Sequence, residues 1–203
     1  MKNPKKIIIA VTGASGAPLA DHLIRQLAYR IPEIHIIFSS MGEKVFRQEV
    51  GVPENLSFDD YFSEFHSIRI WDSGDFSAPF ASGSGVAHAM VIIPCSMKTL
   101  SAVANGYTYS LIERAADVML KERRTLILVP RETPLNSIHL QNMLQAGKAG
   151  ALILPPVPAF YTFPKSLEDI KAYISGKIMD SLNIPHELYP RWSDHGDDNP
   201  KRS

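Results

Sequence analysis

Ile7-Ile8-Ile9-Ala10-Val11 followed by Thr12-Gly13-Ala14-Ser15-Gly16 is an apolar run that breaks off into small residues. So short an apolar run, rich in β-branched residues, reads as a strand buried on both faces. Pro18 suits the first turn of a helix. Leu19, Leu23, Ile24 and Leu27 recur at helical spacing and carry that helix to about Tyr29. The pattern repeats outward. Strands are expected at Ile34–Phe38, Ile68–Ile70, Ala89–Ile93, Leu126–Val129 and Ala151–Leu154. Helices are expected at Met41–Val50, Thr99–Ala104, Leu111–Lys121, Ser137–Ala146 (capped by Ser137 or Asn136) and Leu167–Leu182. Asp72–Ala87, rich in Ser, Gly, Ala and Pro, reads as a long loop. Alternation of this kind implies an α/β fold with a doubly wound parallel sheet in a single domain. In such sheets ligands bind beyond the carboxyl ends of the strands. The polar junctions Thr12–Gly16, Ser39-Ser40, Cys95–Thr99, Arg131–Thr133 and Pro155–Tyr161 all fall there.

Composition narrows the function. The chain has 203 residues, with Lys+Arg 21 against Asp+Glu 21 and no formal net charge. That balance argues against nonspecific nucleic-acid binding, which needs a basic face, and leaves self-association unopposed. Cys95 is the only cysteine, which excludes an intrachain disulfide and fits a reducing compartment. The apolar run after Lys6 is too short for a signal peptide or a membrane span, so a cytoplasmic protein is expected. Residues 1–192 read as the domain and residues 193–203 as a polar tail. The seven histidines show no ligand spacing, and no metal is expected.

The first turn lacks both the G-x-G-x-x-G spacing of dinucleotide sites and the Gly-Lys-Ser/Thr ending of a P-loop. Two readings stand: small residues that let backbone N–H groups approach one phosphate or flavin, or a tight turn without a ligand. A bulky residue at Gly13 would close that approach. Ser96 and Thr99 can cap a helix or hold a phosphate. Cys95 lacks an obvious base and reads as a buried structural thiol. Arg131-Glu132 directly follows a buried strand. There Arg131 can grip a phosphate and Glu132 beside it should resist ionising, or the two can form a structural ion pair.

Seven segments together resemble the flavin prenyltransferases of the UbiX type. They are Thr12–Gly16, Pro94-Cys95-Ser96, Leu111–Val118, Leu120–Arg124, Val129–Pro134, Ile138–Met143 and Pro158–Tyr161, within a likeness running from about Lys6 to Trp192. The resemblance implies a flavodoxin-like (Rossmann-like) domain assembled as a homododecamer. It implies metal-independent transfer of a dimethylallyl group from dimethylallyl phosphate to N5 and then C6 of reduced FMN. The product, prenylated FMN, would serve UbiD-type decarboxylases, including those of ubiquinone biosynthesis. Carried over by position, Gly13, Ala14, Ser15, Ser39, Ser96, Met97, Lys98, Thr99 and Arg131 would hold FMN. Arg114, Lys121, Arg131, Glu132, Tyr161 and Lys177 would surround the substrate phosphate. Ser15, Lys121, Glu132 and Tyr161 would be catalytic, and Glu49 would reach an adjoining subunit's site. Lys177 and Phe76 stand where some relatives have Arg and Trp, which makes the grip monodentate and the prenyl pocket smaller. The alternatives are a peptidyl-cysteine decarboxylase of the same fold, for which His22 and His66 are the available bases, and a noncatalytic FMN carrier.

Overall fold

The computed structural model describes residues 4–85 and 87–191. The polar tail and Trp192 lie outside the described residues. The elements follow in the order β1 (Lys6–Val11), α1 (Ala17–Ala28), β2 (Glu33–Phe38), α2 (Ser40–Val50), α3 (Phe58–Tyr61) and β3 (Ile68–Asp72). Then come β4 (Ala89–Cys95), α4 (Met97–Ala104), α5 (Leu111–Lys121), β5 (Thr125–Pro130), α6 (Ser137–Lys148), β6 (Leu152–Ile153) and α7 (Leu167–Ser181). The strands form one sheet in the order β3-β2-β1-β4-β5-β6. Every pairing is parallel. This is the Rossmann-type doubly wound order, and its direction reverses between β1 and β4.

The apolar run in β1 serves both layers because successive side chains alternate across a strand. Ile7, Ile9 and Val11 pack on one face with α1, α2 and α7, while Ile8 and Ala10 pack on the other with α4, α5 and α6. Ile7, Ile8 and Ile9 are all fully buried, so truncating one to Ala would cost about 2–5 kcal/mol.

Three departures from the sequence reading have physical causes. The last strand is two residues long rather than four: it lies at the sheet edge beside β5 alone, and Pro155 ends it. The helix α3 was not expected. At four residues it is too short to show a period, although Ser57 caps it by accepting the Asp60 N–H. The segment 72–87 is more ordered than a bare loop. It holds 3-10 turns at Pro79–Ala81 and Gly83–Gly85, and Phe80 is buried against Trp71 and His35 at ring distances of 5.5 and 5.0 Å.

Candidate active site

The three strands at the switch point each hand over to a helix: β1 to α1, β2 to α2 and β4 to α4. Parallel strands put all three helix N-termini on one edge. Thr12, 1% exposed, ties two of the junctions together. Its hydroxyl donates to the Pro94 carbonyl at 2.7 Å and accepts the Ser96 N–H at 2.8 Å. Arg131 joins from β5: its backbone N–H donates to the Cys95 carbonyl at 3.2 Å and its Nε to the Ser15 carbonyl at 3.1 Å.

The glycines have different reasons. Gly16 adopts φ +114°, a left-handed conformation that favours glycine. Gly13 needs no such freedom; a Cβ there would sit 2.5 Å from the Cβ of Met41. Gly42 is pressed still closer, since its Cβ would meet the Val11 carbonyl oxygen at 2.2 Å. Close seating of α2 on the first turn therefore gives Gly13 a packing reason, in line with the tight-turn reading and without excluding ligand approach.

The N-terminus of α1 is already occupied by an anion. Glu49 Oε2 accepts the N–H groups of Gly16 at 2.8 Å and Ala17 at 2.9 Å. Partial burial works to raise its pKa, but the Ser15 hydroxyl, these two amides and the charge of Arg131 outweigh it and hold the carboxyl below its ordinary range. Glu49 thus completes this chain's own first turn, a contact the sequence reading did not foresee. A ligand phosphate must use other donors. The first-turn amides of α4, on Met97 and Lys98, have no intrahelical acceptor. Ser96 Oγ accepts the Thr99 N–H at 3.3 Å and lies 3.1 Å from the Thr99 hydroxyl. Ser39 similarly caps α2 by accepting the Gly42 N–H at 3.0 Å. These contacts bring the junctions that carry Gly13, Ala14, Ser15, Ser39, Ser96, Met97, Lys98, Thr99 and Arg131 to one edge of the sheet, where the doubly wound order opens a crevice between β1 and β4. Amides, hydroxyls and one guanidinium are a donor set that fits a phosphate-bearing flavin. Beside the crevice a cleft of about 460 Å³ is lined by Ser15, Glu49, Leu19, Leu167, Ile170 and Lys171, among others.

Of the residues expected around the substrate phosphate, Lys121 does not meet Arg131 and Glu132 within one chain. Lys121 ends α5 and precedes β5, whereas Arg131 and Glu132 follow β5. A six-residue strand rises roughly 20 Å, so Lys121 stands at the far edge of the sheet. There its Nζ lies 2.7 Å from Glu122 Oε1. Arg114, in the first turns of α5, donates to the Ala81 carbonyl at 2.9 Å and pairs with Asp117 at 3.1 Å. Glu132 is exposed, and its carboxylate accepts its neighbour's Thr133 N–H at 3.0 Å. Among the described residues no salt bridge to Glu132 is formed, which removes the structural ion pair with Arg131 as its explanation. Tyr161 packs edge-on against Tyr173, and Lys177 lies on α7 with its Nζ 4.0 Å from Asp180 Oδ2. Asp180 escaped the sequence reading; the signal was its helical spacing from Lys177 and Tyr173.

Burial pushes the Cys95 thiol up to about 12, which disqualifies it as a nucleophile near neutral pH. His22, an available base for the alternative reading, is buried with its Nδ1 2.7 Å from Ser175 Oγ. Among the described residues no three His, Cys, Asp or Glu side chains stand where they could hold a metal ion. No described helix is long and apolar enough to cross a membrane.

A family model described as Flavoprotein matches residues 1–179. Flavin prenyltransferase UbiX of Methanocaldococcus jannaschii is 44% identical over 191 residues, covering 92% of this chain and 98% of its own. The chain belongs to the flavin prenyltransferases. Two solved structures agree with that membership. AnUbiX (PadA1), crystallised with FMN and dimethylallyl pyrophosphate, superposes with a TM-score of 0.81 at 39% identity, over 93% of this chain and 97% of its own. A dodecameric FMN-dependent UbiX-like decarboxylase from Escherichia coli O157:H7 superposes with a TM-score of 0.83 at 38% identity, over 92% and 98%. Flavin prenyltransferases are transferases, and the chain's sheet is that of this fold.

Proposed function

We propose that this flavin prenyltransferase moves a dimethylallyl group from dimethylallyl phosphate onto N5 and C6 of reduced FMN. The observation that carries the reading is the crevice at the β1/β4 switch point, where Ser15, Ser96, Thr99 and Arg131 converge in a chain 44% identical to a flavin prenyltransferase. FMN supplies the nucleophilic ring atoms. The chain supplies the rest. Gly13, Ala14, Ser15, Ser39, Met97 and Lys98 shape and line the FMN site with Ser96, Thr99 and Arg131. Lys121, Arg114, Arg131, Tyr161 and Lys177 supply cations and a hydroxyl to the departing phosphate. A monophosphate carries less charge than a diphosphate, so such donors can stabilise it without a metal ion. Glu132 moves a proton, either onto that phosphate or from the flavin at ring closure.

Because Lys121 and Arg131 stand at opposite ends of β5, this reading needs sites completed between subunits. Exposed apolar side chains on α6 and the segment after β6, among them Ile138, Leu144, Val157 and Phe160, support a homo-oligomer. A homododecamer is the assembly proposed, after the dodecameric relative. The product would supply a UbiD-type decarboxylase. Residues 1–192 form the one flavoprotein domain, and the lone buried thiol of Cys95 supports a cytoplasmic setting. Mass spectrometry of reduced FMN incubated with the protein and dimethylallyl phosphate tests the reading: a flavin heavier by one five-carbon unit is expected. Unmodified FMN would leave the carrier reading, and loss of carbon dioxide from a cysteine peptide would restore the decarboxylase.

A further inference from the structure

Tyr173, Gly176, Lys177 and Asp180 follow at helical spacing and share one face of α7. The segment from His186 to Arg191 folds back onto this face. A glycine inside a helix is unfavourable by about 1 kcal/mol relative to Ala. Here the position has a packing reason: a Cβ on Gly176 would meet the Tyr189 ring at 2.6 Å and His186 Cε1 at 2.8 Å. The segment is fastened by one carboxylate. Arg191 donates to both oxygens of Asp180, at 2.8 and 2.9 Å, and the Tyr189 hydroxyl donates to Oδ2. The Leu188 N–H donates to His186 Nδ1 at 3.1 Å, which leaves Nε2 as the nitrogen that donates to Asp180 Oδ1 at 3.1 Å.

This latch lies against two of the proposed phosphate ligands. Tyr189 packs on Tyr173 at 5.0 Å, and Tyr173 packs edge-on against Tyr161 at 6.3 Å. Lys177 Nζ stays 4.0 Å from Asp180, at the outer limit of an ion pair, because Arg191, Tyr189 and His186 already meet that carboxylate. Partial burial works to raise the pKa of Asp180, but the hydrogen bonds from Tyr189 and Arg191 outweigh it and hold it below the ordinary carboxylate range. An ionised Asp180 therefore orients Lys177 without fully neutralising it.

We infer that Asp180 is a positioning residue for phosphate binding: by latching the segment His186–Arg191 over Gly176, it sets Lys177 and, through Tyr189 and Tyr173, Tyr161 toward the substrate phosphate. The inference rests on the proposed function for the identity of that phosphate, but not for its test. The primary readout is calorimetric binding of inorganic phosphate to the assembled, FMN-loaded protein. Asp180→Asn should weaken phosphate by about tenfold, the scale of a misplaced charge-assisted contact. Gly176→Ala, which lifts the segment and leaves every charge in place, should do the same. FMN affinity should not change in either. The effects of Asp180→Asn and Lys177→Met should be less than additive, because residues acting through one contact couple. For transfer, KM for dimethylallyl phosphate should rise with kcat nearly constant. Wild-type phosphate affinity in both Asp180→Asn and Gly176→Ala would overturn the inference, as would strict additivity with Lys177→Met. Failure of the wild-type protein to prenylate FMN would overturn the proposed function instead, and the phosphate measurement would still decide the role of Asp180.

Discussion

The Thr12 hydroxyl accepts the Ser96 N–H at 2.8 Å while donating to the Pro94 carbonyl, so one buried side-chain oxygen, backed by the Thr12 N–H to the same carbonyl at 3.3 Å, ties the β1 and β4 junctions together. These junctions bound the proposed FMN crevice. Thr12→Val removes donor and acceptor together and leaves the Ser96 amide without its acceptor, while the Pro94 carbonyl keeps only the Thr12 backbone N–H at 3.3 Å. The expected loss is about 1–3 kcal/mol of stability, together with weaker FMN binding. Thr12→Ser keeps the oxygen and should lose much less of either. Denaturant unfolding and flavin titration on the two variants check this; equal losses would mean that the methyl group, not the hydroxyl, matters.

Gly13 gives a test of packing against ligand approach. With a Cβ at this position 2.5 Å from the Met41 Cβ, Gly13→Ala must push α2 off the turn. Poor FMN uptake and lower stability are expected. If the contact with Met41 is the cause, the double variant Gly13→Ala, Met41→Gly should recover flavin uptake. A double variant that regains stability but remains colourless would return Gly13 to the ligand.

Glu49 should make stability depend on acid pH in a defined direction. Its folded pKa lies below the ordinary 4.5, so its stabilisation is fully present above that value and is lost as pH falls through the folded pKa. Glu49→Gln keeps the shape and removes the charge at the α1 N-terminus. At pH 7 the variant should be less stable by about 0.5–1 kcal/mol, as for an exposed charge at a helix N-terminus. The gap should narrow as pH falls below 4.5. A gap independent of pH would show that the charge is not what stabilises the turn.

Much of this architecture could be read from residue order. Buried β-branched runs such as Ile7–Val11 have no stable alternative to an inner parallel strand, and the helix from Leu111 to Lys121 has the boundaries its periodicity predicts. The polar strand-end junctions were also legible, because each is local in sequence and a parallel sheet gathers them at one edge. What sequence spacing could not supply was distance across the sheet. Lys121 and Arg131 are ten positions apart, yet an intervening strand puts them at opposite edges. Nor could it show that Glu49, thirty-three positions from Gly16, caps the first helix. Asp180 was hidden for the same reason: its partners Tyr189 and Arg191 reach it only because the chain reverses after α7.

Glu132 separates catalysis from support. Its carboxylate is exposed and bonded to its neighbour's amide, so little of the fold depends on its charge. Glu132→Gln should retain thermal stability, FMN and dimethylallyl phosphate, and make prenylated FMN about 10²-fold more slowly in a single turnover. Wild-type turnover in this variant would remove Glu132 from the proton-transfer role.

The separation of Lys121 from Arg131 leads to the strongest test of a shared site. If one phosphate meets both side chains, they must come from different subunits. Lys121→Ala alone should then inactivate every site of the assembly, and so should Arg131→Ala. When the two variants are unfolded and refolded together, or co-expressed, subunits mix at random. A site that draws Lys121 from one chain and Arg131 from another receives both intact in roughly a quarter of cases, since each has about an even chance of coming from the unmutated position. Activity should therefore return to roughly a quarter of wild type from two parents that each have almost none. Mixing after folding, without subunit exchange, should restore nothing. If both residues served the same chain's site, every chain in the mixture would still lack one of them. No recovery from a mixed oligomer of confirmed composition would thus remove Lys121 from the phosphate site, and the charge at the end of α5 would be left with its pairing to Glu122.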